Sequence, residues 1–137
     1  MKYVLDSSVA IKWVLNEPDS AVAMKVRDGF VNLAHELMAP DVFPIEVAHA
    51  LSRAERKGIL SPPQGTSALT GILRTLPDLH DSLLLLPRAF EISSQQRIGV
   101  YDCLYLALAE KEKAPLITAD ARLLKTPGFP MIELATF

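Results

Sequence analysis

Acidic residues stand at four places in this chain where secondary-structure elements should begin or end. Asp6 follows the β-prone run Tyr3-Val4-Leu5, and Asp120 follows a second such run, Leu116-Ile117-Thr118. Asp102 falls in the first turn of a strong helical segment, and Glu46 in the first turns of another. Each acid alone has an ordinary explanation. Asp6 and Asp120 suit loop or capping positions, Asp102 suits the positive end of a helix dipole, and Glu46 suits a solvated helix face. Together they imply more. Two unit charges about 4 Å apart repel by roughly 4 kcal/mol at an effective dielectric of about 20. Four gathered carboxylates therefore need a cation, or some must keep their protons. Oxygen-only ligands favour Mg²⁺ or Mn²⁺ over zinc. Such an ion acidifies water and offsets charge on a phosphodiester, so the implied chemistry is phosphate-ester hydrolysis.

The elements that position these acids follow from periodicity. Residues 3–5 read as a strand without alternation, buried on both faces of a parallel sheet. Ser7-Ser8 is expected to cap a helix carrying Val9, Ile11, Trp13 and Val14. A second helix starts near Ser20 and is expected to reach Leu37, with a short strand over Met38-Ala39-Pro40 after it. Asp41 is expected to cap a helix from Val42 to Lys57, with Pro44 in its first turn. Further helices are expected over residues 61–76, 83–97 and 101–113, and a brief one through Leu124. Short strands are expected near Leu79, at residues 115–118 and at residues 131–134. Strands alternating with helices give an α/β class with a mainly parallel sheet. Ligands of such sheets bind outside the carboxyl ends of the strands, where the acids fall. At about 100° per residue, Glu46, Ala50, Arg53 and Lys57 share one helix face. An acid with cations leading away from it is a pattern that suits a polyanionic substrate.

Composition bounds the rest. The 137 residues are 50% hydrophobic and 22% charged, which excludes intrinsic disorder and predicts a single domain over 1–137. A formal charge of -2 argues against a broad basic nucleic-acid surface, though not against a local basic rim. The one cysteine, Cys103, has no partner for an intrachain disulfide and reads as a small core residue. No apolar run is long enough to span a membrane, and the start of the chain lacks the apolar stretch of an export signal. These features predict a cytoplasmic protein with no membrane role. The high apolar fraction hints at a surface covered by a partner.

The segments Val4-Leu5-Asp6-Ser7-Ser8-Val9-Ala10, Pro44-Ile45-Glu46-Val47, residues 101–109 and Leu116-Ile117-Thr118-Ala119-Asp120 together resemble PIN-domain ribonucleases. Within that family the likeness is to VapC-type toxins of toxin–antitoxin pairs, and it covers essentially the whole chain. The resemblance implies a three-layer α/β/α sandwich around a mainly parallel five-stranded sheet. It implies a metal-dependent endoribonuclease with a catalytic quartet of Asp6, Glu46, Asp102 and Asp120. Asp6, Asp102 and Asp120 would hold Mg²⁺ or Mn²⁺, with Glu46 as a ligand or as the base for the attacking water. Ser8 and Thr118 match the family's supporting hydroxyls. Lys12, Arg53, Lys57 and Arg122 are candidate contacts to the RNA substrate. A homodimer and a cognate antitoxin are the expected partners.

Other readings fit less well. A haloacid-dehalogenase-like phosphatase needs a second Asp two positions after the first, where this chain has Ser8. A response-regulator receiver needs paired acids after the first strand, and only Asp6 is there. Glu46-Val47-Ala48-His49 has the spacing of a diiron half-site, but no second copy exists. His35 and His80 have no ligand-like neighbours in sequence. The alternative of a different class is a catalytically silent PIN-fold module that binds RNA or protein, and the intact quartet argues against it.

Overall fold

A computed structural model describes all 137 residues, Met1 to Phe137. The elements run β1 (Lys2–Leu5), α1 (Ser7–Val14), α2 (Ser20–Val31), β2 (Glu36–Pro40), α3 (Phe43–Arg56) and α4 (Pro62–Leu73). They continue as β3 (Asp78–His80), α5 (Ser82–Gln96), α6 (Val100–Glu112), β4 (Leu116–Thr118), α7 (Ala121–Leu124) and β5 (Met131–Glu133), with a closing 3₁₀ turn at Leu134–Thr136. All pairings are parallel, in the order β3-β2-β1-β4-β5.

This order decides where a ligand can sit. From β1 through β2 to β3 the chain steps one way across the sheet, and from β3 to β4 and β5 it steps the other way. Right-handed crossovers then put α1–α4 on one face and α5–α7 on the opposite face. The packing agrees: α1 lies against α2, α3 and α4, whereas α5 lies against α6. The direction changes between β1 and β4, so a crevice opens beyond their carboxyl ends. Asp6 and Asp120 are the residues one and two positions past those ends.

Helix α6 is the centre of the second face. It packs on β1, β2 and β4 as well as on α5, and every residue from Cys103 to Ala109 is buried. It is therefore apolar nearly all round, as a helix between two layers must be. Val4, Leu5, Leu116 and Ile117 are fully buried between the helical layers, which explains the lack of alternation in these strands.

Several boundaries differ from expectation for local reasons. Helix α2 stops at Val31, because Leu33 takes a left-handed conformation (φ 62°) and Leu37 is needed in β2, paired with Tyr3. Asp41 does not cap α3, which starts at Phe43 after Val42; its Oδ1 instead accepts the backbone N–H of Ser82 at 3.3 Å. Helix α4 ends at Leu73 rather than Leu76, and Ser61 opens it with a reciprocal capping box to Gln64. Gly99 does not close α5. Arg97 does so in a left-handed conformation (φ 60°), and Gly99 is the N-cap of α6. Leu134 lies beyond the last strand, in the 3₁₀ turn.

The α2–β2 corner depends on a missing side chain. The His35 ring lies over Gly29 and has Nε2 2.8 Å from the Val26 carbonyl, with Tyr3 and Phe137 edge-on to it. A Cβ at position 29 would fall closer to His35 Cε1 than real contacts allow. Gly29→Ala should lower stability by about 1–3 kcal/mol through overpacking, against a helix-propensity gain of about 1 kcal/mol. In a His35→Ala background the same substitution should become neutral or stabilising, as a denaturant double-mutant cycle would read.

Candidate active site

Asp6 is the most constrained polar group in the chain. It is only 5% exposed, directly after β1. Its Oδ2 accepts hydrogen bonds from Ser8 Oγ and from Thr118 Oγ1, each at 2.7 Å. Both hydroxyls are fixed as donors because each accepts a backbone N–H in turn. Ala119 N–H donates to Ser8 Oγ at 3.2 Å, and Asp120 N–H donates to Thr118 Oγ1 at 3.0 Å. Four short links thus lock the end of β1 to the end of β4 around one carboxylate. Ser7-Ser8 does not act as the expected helix cap. Asp6 is the N-cap residue of α1, without a side-chain capping bond, and Ser8 serves the carboxylate.

Asp120 has two roles at once. As N-cap of α7, its Oδ1 accepts from Arg122 N at 2.9 Å and from Leu123 N at 3.4 Å. Its Oδ2 stands 3.8 Å from the Arg122 guanidinium, itself largely in solvent. Asp102 lies in the first turn of α6, half-buried. Glu46 comes from the opposite helical layer, in the first turn of α3. Its Oε1 accepts a 2.6 Å hydrogen bond from Tyr105 Oη. Tyr105 is fully buried on α6, one turn beyond Asp102, so this bond joins the two helical layers past the end of the sheet.

The electrostatics identify these side chains as one group. Asp6 is pushed up to about 6, first by burial, against the lowering pull of Ser8 and Thr118, and further by the charges of Asp102 and Asp120. Glu46 is raised by burial and by Asp6 and Asp102, while Tyr105 lowers it. Asp102 is raised by burial and by Asp120, while Arg122 lowers it. The structure therefore links the four predicted acids through Asp6 and Asp102, each of which feels or is felt by the others. Cys103, beside Asp102, is buried and its thiol is pushed up to about 11. A thiol so held is no nucleophile.

The donor set is oxygen throughout, which suits a hard divalent ion. No three acidic, His or Cys side chains stand close enough to enclose one as they are. That arrangement still suits Mg²⁺, which keeps several waters and needs only one or two carboxylates besides its substrate.

The candidate basic residues divide between two hollows. Lys12, Arg53 and Lys57 line a cleft of about 380 Å³ between α1 and α3, together with Ser8 and Asp120. Arg122 is not among them. It lines a separate notch of about 300 Å³ with Arg97, Gly99 and Asp102. Glu46 does not line the cleft with Arg53 and Lys57. It turns to Tyr105 and lines a third hollow with Ile45, His49 and Tyr101. Sequence reasoning missed Tyr105 and Arg97. A tyrosine one helical turn after Asp102 was the available signal for the first. The second had none, since its position depends on a left-handed helix end. His80, read as isolated, has Asp78 at 3.3 Å and Glu112 at 3.7 Å.

Comparisons with known proteins match this geometry. The family model "PIN domain" covers residues 3–128. Ribonuclease VapC1 of Mycobacterium tuberculosis is 33% identical over 131 residues, spanning 93% of this chain and 92% of the relative. Ribonuclease VapC3 of Pyrobaculum aerophilum is 31% identical over 125 residues, spanning 90% and 92%. In fold, the chain is similar to PAE2754 from Pyrobaculum aerophilum, with a TM-score of 0.69 at 22% identity and all of both chains covered. It is likewise similar in fold to a chain of VapBC2 from Rickettsia felis bound to a promoter DNA fragment, with a TM-score of 0.69 at 17% identity, covering 96% of this chain and 98% of that one. Catalysis in PIN-domain nucleases generally depends on a divalent metal. With a five-stranded parallel sheet flanked by helices, an acidic crevice at its switch point and relatives of this closeness, the chain belongs to the PIN-domain family and, within it, to the VapC-type ribonucleases.

Proposed function

We propose that the carboxylates at the β1–β4 crevice hydrolyse internal phosphodiester bonds of RNA, and that the chain is the toxin of a toxin–antitoxin pair in the cytoplasm. The observation carrying this reading is the buried Asp6, raised towards neutrality beside three further acids. Such a site is costly to fold and is relieved by a cation. Asp6, Asp102 and Asp120 are the residues that would hold Mg²⁺ or Mn²⁺, largely through water. When bound, the ion supplies positive charge that acidifies a water and offsets charge on the phosphate. Glu46, oriented by Tyr105, takes a proton from the attacking water. Ser8 and Thr118 hold Asp6 in place through one oxygen, which leaves the other without a side-chain hydrogen bond. Lys12, Arg53, Lys57 and Arg122 contact RNA phosphates.

The partners follow from exposed apolar side chains. Leu83, Leu84 and Phe90 on α5 are 76%, 73% and 65% exposed, and Ile45 and Tyr101 are exposed beside the site. Exposed side chains of this kind suit a homodimer face and a cognate antitoxin. No helix is long and apolar enough to cross a membrane.

Asp6→Asn and Asp102→Asn should each cut RNA cleavage by purified protein at least about a hundredfold, with Mg²⁺ present. Full activity in either variant would sink the assignment. Tyr105→Phe removes the bond that orients Glu46 and keeps the buried ring. It should lower kcat by about tenfold, the worth of one charge-assisted hydrogen bond, with KM for RNA little changed. Asp6 also ties stability to pH. Its folded pKa of about 6 lies above the ordinary 3.8, so metal-free folded protein binds more protons than unfolded protein between about pH 4 and 6. Stability should therefore fall as pH rises through that window, by about 3 kcal/mol for this group. Chemical denaturation of metal-free protein should show a fall larger by that amount in wild type than in Asp6→Asn, which keeps an oxygen for Ser8 and Thr118. A fall of equal size in the variant would refute the linkage.

A further inference from the structure

The two cationic hollows lie on opposite faces of the sheet, and the carboxylates lie between them. The α1–α3 cleft has Asp120 on its wall, cations from Lys12, Arg53 and Lys57, and an apolar lining of Ile11, Leu15 and Ala54. The notch across the sheet is formed by the α5–α6 junction and α7, with Asp102 on its wall and Arg97 and Arg122 at its rim. Arg53, Lys57 and Arg97 are exposed and none has a carboxylate within ion-pair distance. Lys12 is engaged by Glu17 at 3.4 Å, and Arg122 reaches only Asp120. Free cations on both sides of an acidic centre are the pattern expected of a polyanion that passes over it, rather than ending at it. Arg97 is well placed for this, because its left-handed conformation ends α5 and turns the chain towards Gly99 at the crevice.

We propose that a single RNA strand crosses the carboxyl edge of the sheet, with the nucleotide on one side of the cleaved bond in the α1–α3 cleft and the nucleotide on the other side in the Arg97 notch. Arg53 and Lys57 grip the backbone on the first side, where the apolar lining receives a base. Arg97 grips it on the second. The site then gains affinity from backbone on both sides of the bond. This path rests on the nuclease reading above.

The test uses full-length protein, a short single-stranded RNA with one cleaved bond, versions of it shortened from either end, and bis(p-nitrophenyl) phosphate, a diester with no nucleosides. Arg53→Gln/Lys57→Gln and Arg97→Gln should each raise KM for the RNA by about tenfold. Wild type should lose efficiency when the RNA is shortened from either end. The double variant should become insensitive to shortening from one end, and Arg97→Gln to shortening from the other. Both becoming insensitive to the same end overturns the crossing path. An unchanged RNA KM in the double variant also overturns it and leaves the cleft to a protein partner. Wild type that cleaves neither RNA nor the small diester overturns the nuclease reading, and the path with it.

Discussion

A carboxylate buried at the switch point of the sheet is the constraint on which the rest depends. Asp6 sits where β1 and β4 diverge, nearly sealed from water, with two hydroxyls on one of its oxygens. Burial makes ionisation expensive, and hydrogen bonds from Ser8 and Thr118 offset only part of that cost. The same bonds fix the register of the crevice, since each hydroxyl also holds the backbone just past β4. Position and electrostatic tension therefore share one origin. A fold selected for stability alone would put a neutral side chain here, and retention of the charge is what ties the site to cation chemistry.

Around that carboxylate, the fold recruits one further acid from each direction. Asp120 comes from the neighbouring strand end, Glu46 from the helical layer on one face, and Asp102 from the layer on the other. Only the direction change in the strand order lets both layers reach the same point. The Tyr105–Glu46 bond spans that gap, and its donor is anchored in the most buried stretch of α6. Glu46 is therefore set by the core. The same topology leaves basic clefts on both faces, so surface charge close to the acids is organised by the sheet rather than by sequence neighbourhood. A net charge of -2 is compatible with a polyanionic substrate, because four of the 16 acidic residues are gathered where an ion would neutralise them.

The sequence by itself determined the class of fold and the membership of the acidic group. Buried parallel strands read as short apolar runs because both faces are covered, and an acid just past such a run marks a strand end. Both signals are local, so Asp6 and Asp120 could be named without coordinates, while Asp102 and Glu46 were named from helix first turns and the family resemblance. Ends of elements were less legible. Leu37 continued a helical pattern and yet belongs to β2, because pairing with Tyr3 outweighs periodicity. What only the tertiary structure decided is how side chains far apart in the chain meet. The resemblance named Ser8 and Thr118 as supporting hydroxyls, but that both donate to one oxygen of Asp6, from positions 110 apart in sequence, is the work of the β1–β4 pairing. Tyr105 carried no role in the sequence and is the partner of Glu46. Arg53 and Arg122 looked like members of one basic rim and fell on opposite faces. Periodicity reports which face of an element is buried. It carries no information on which other element covers that face, and the chemistry of this site arises from that pairing.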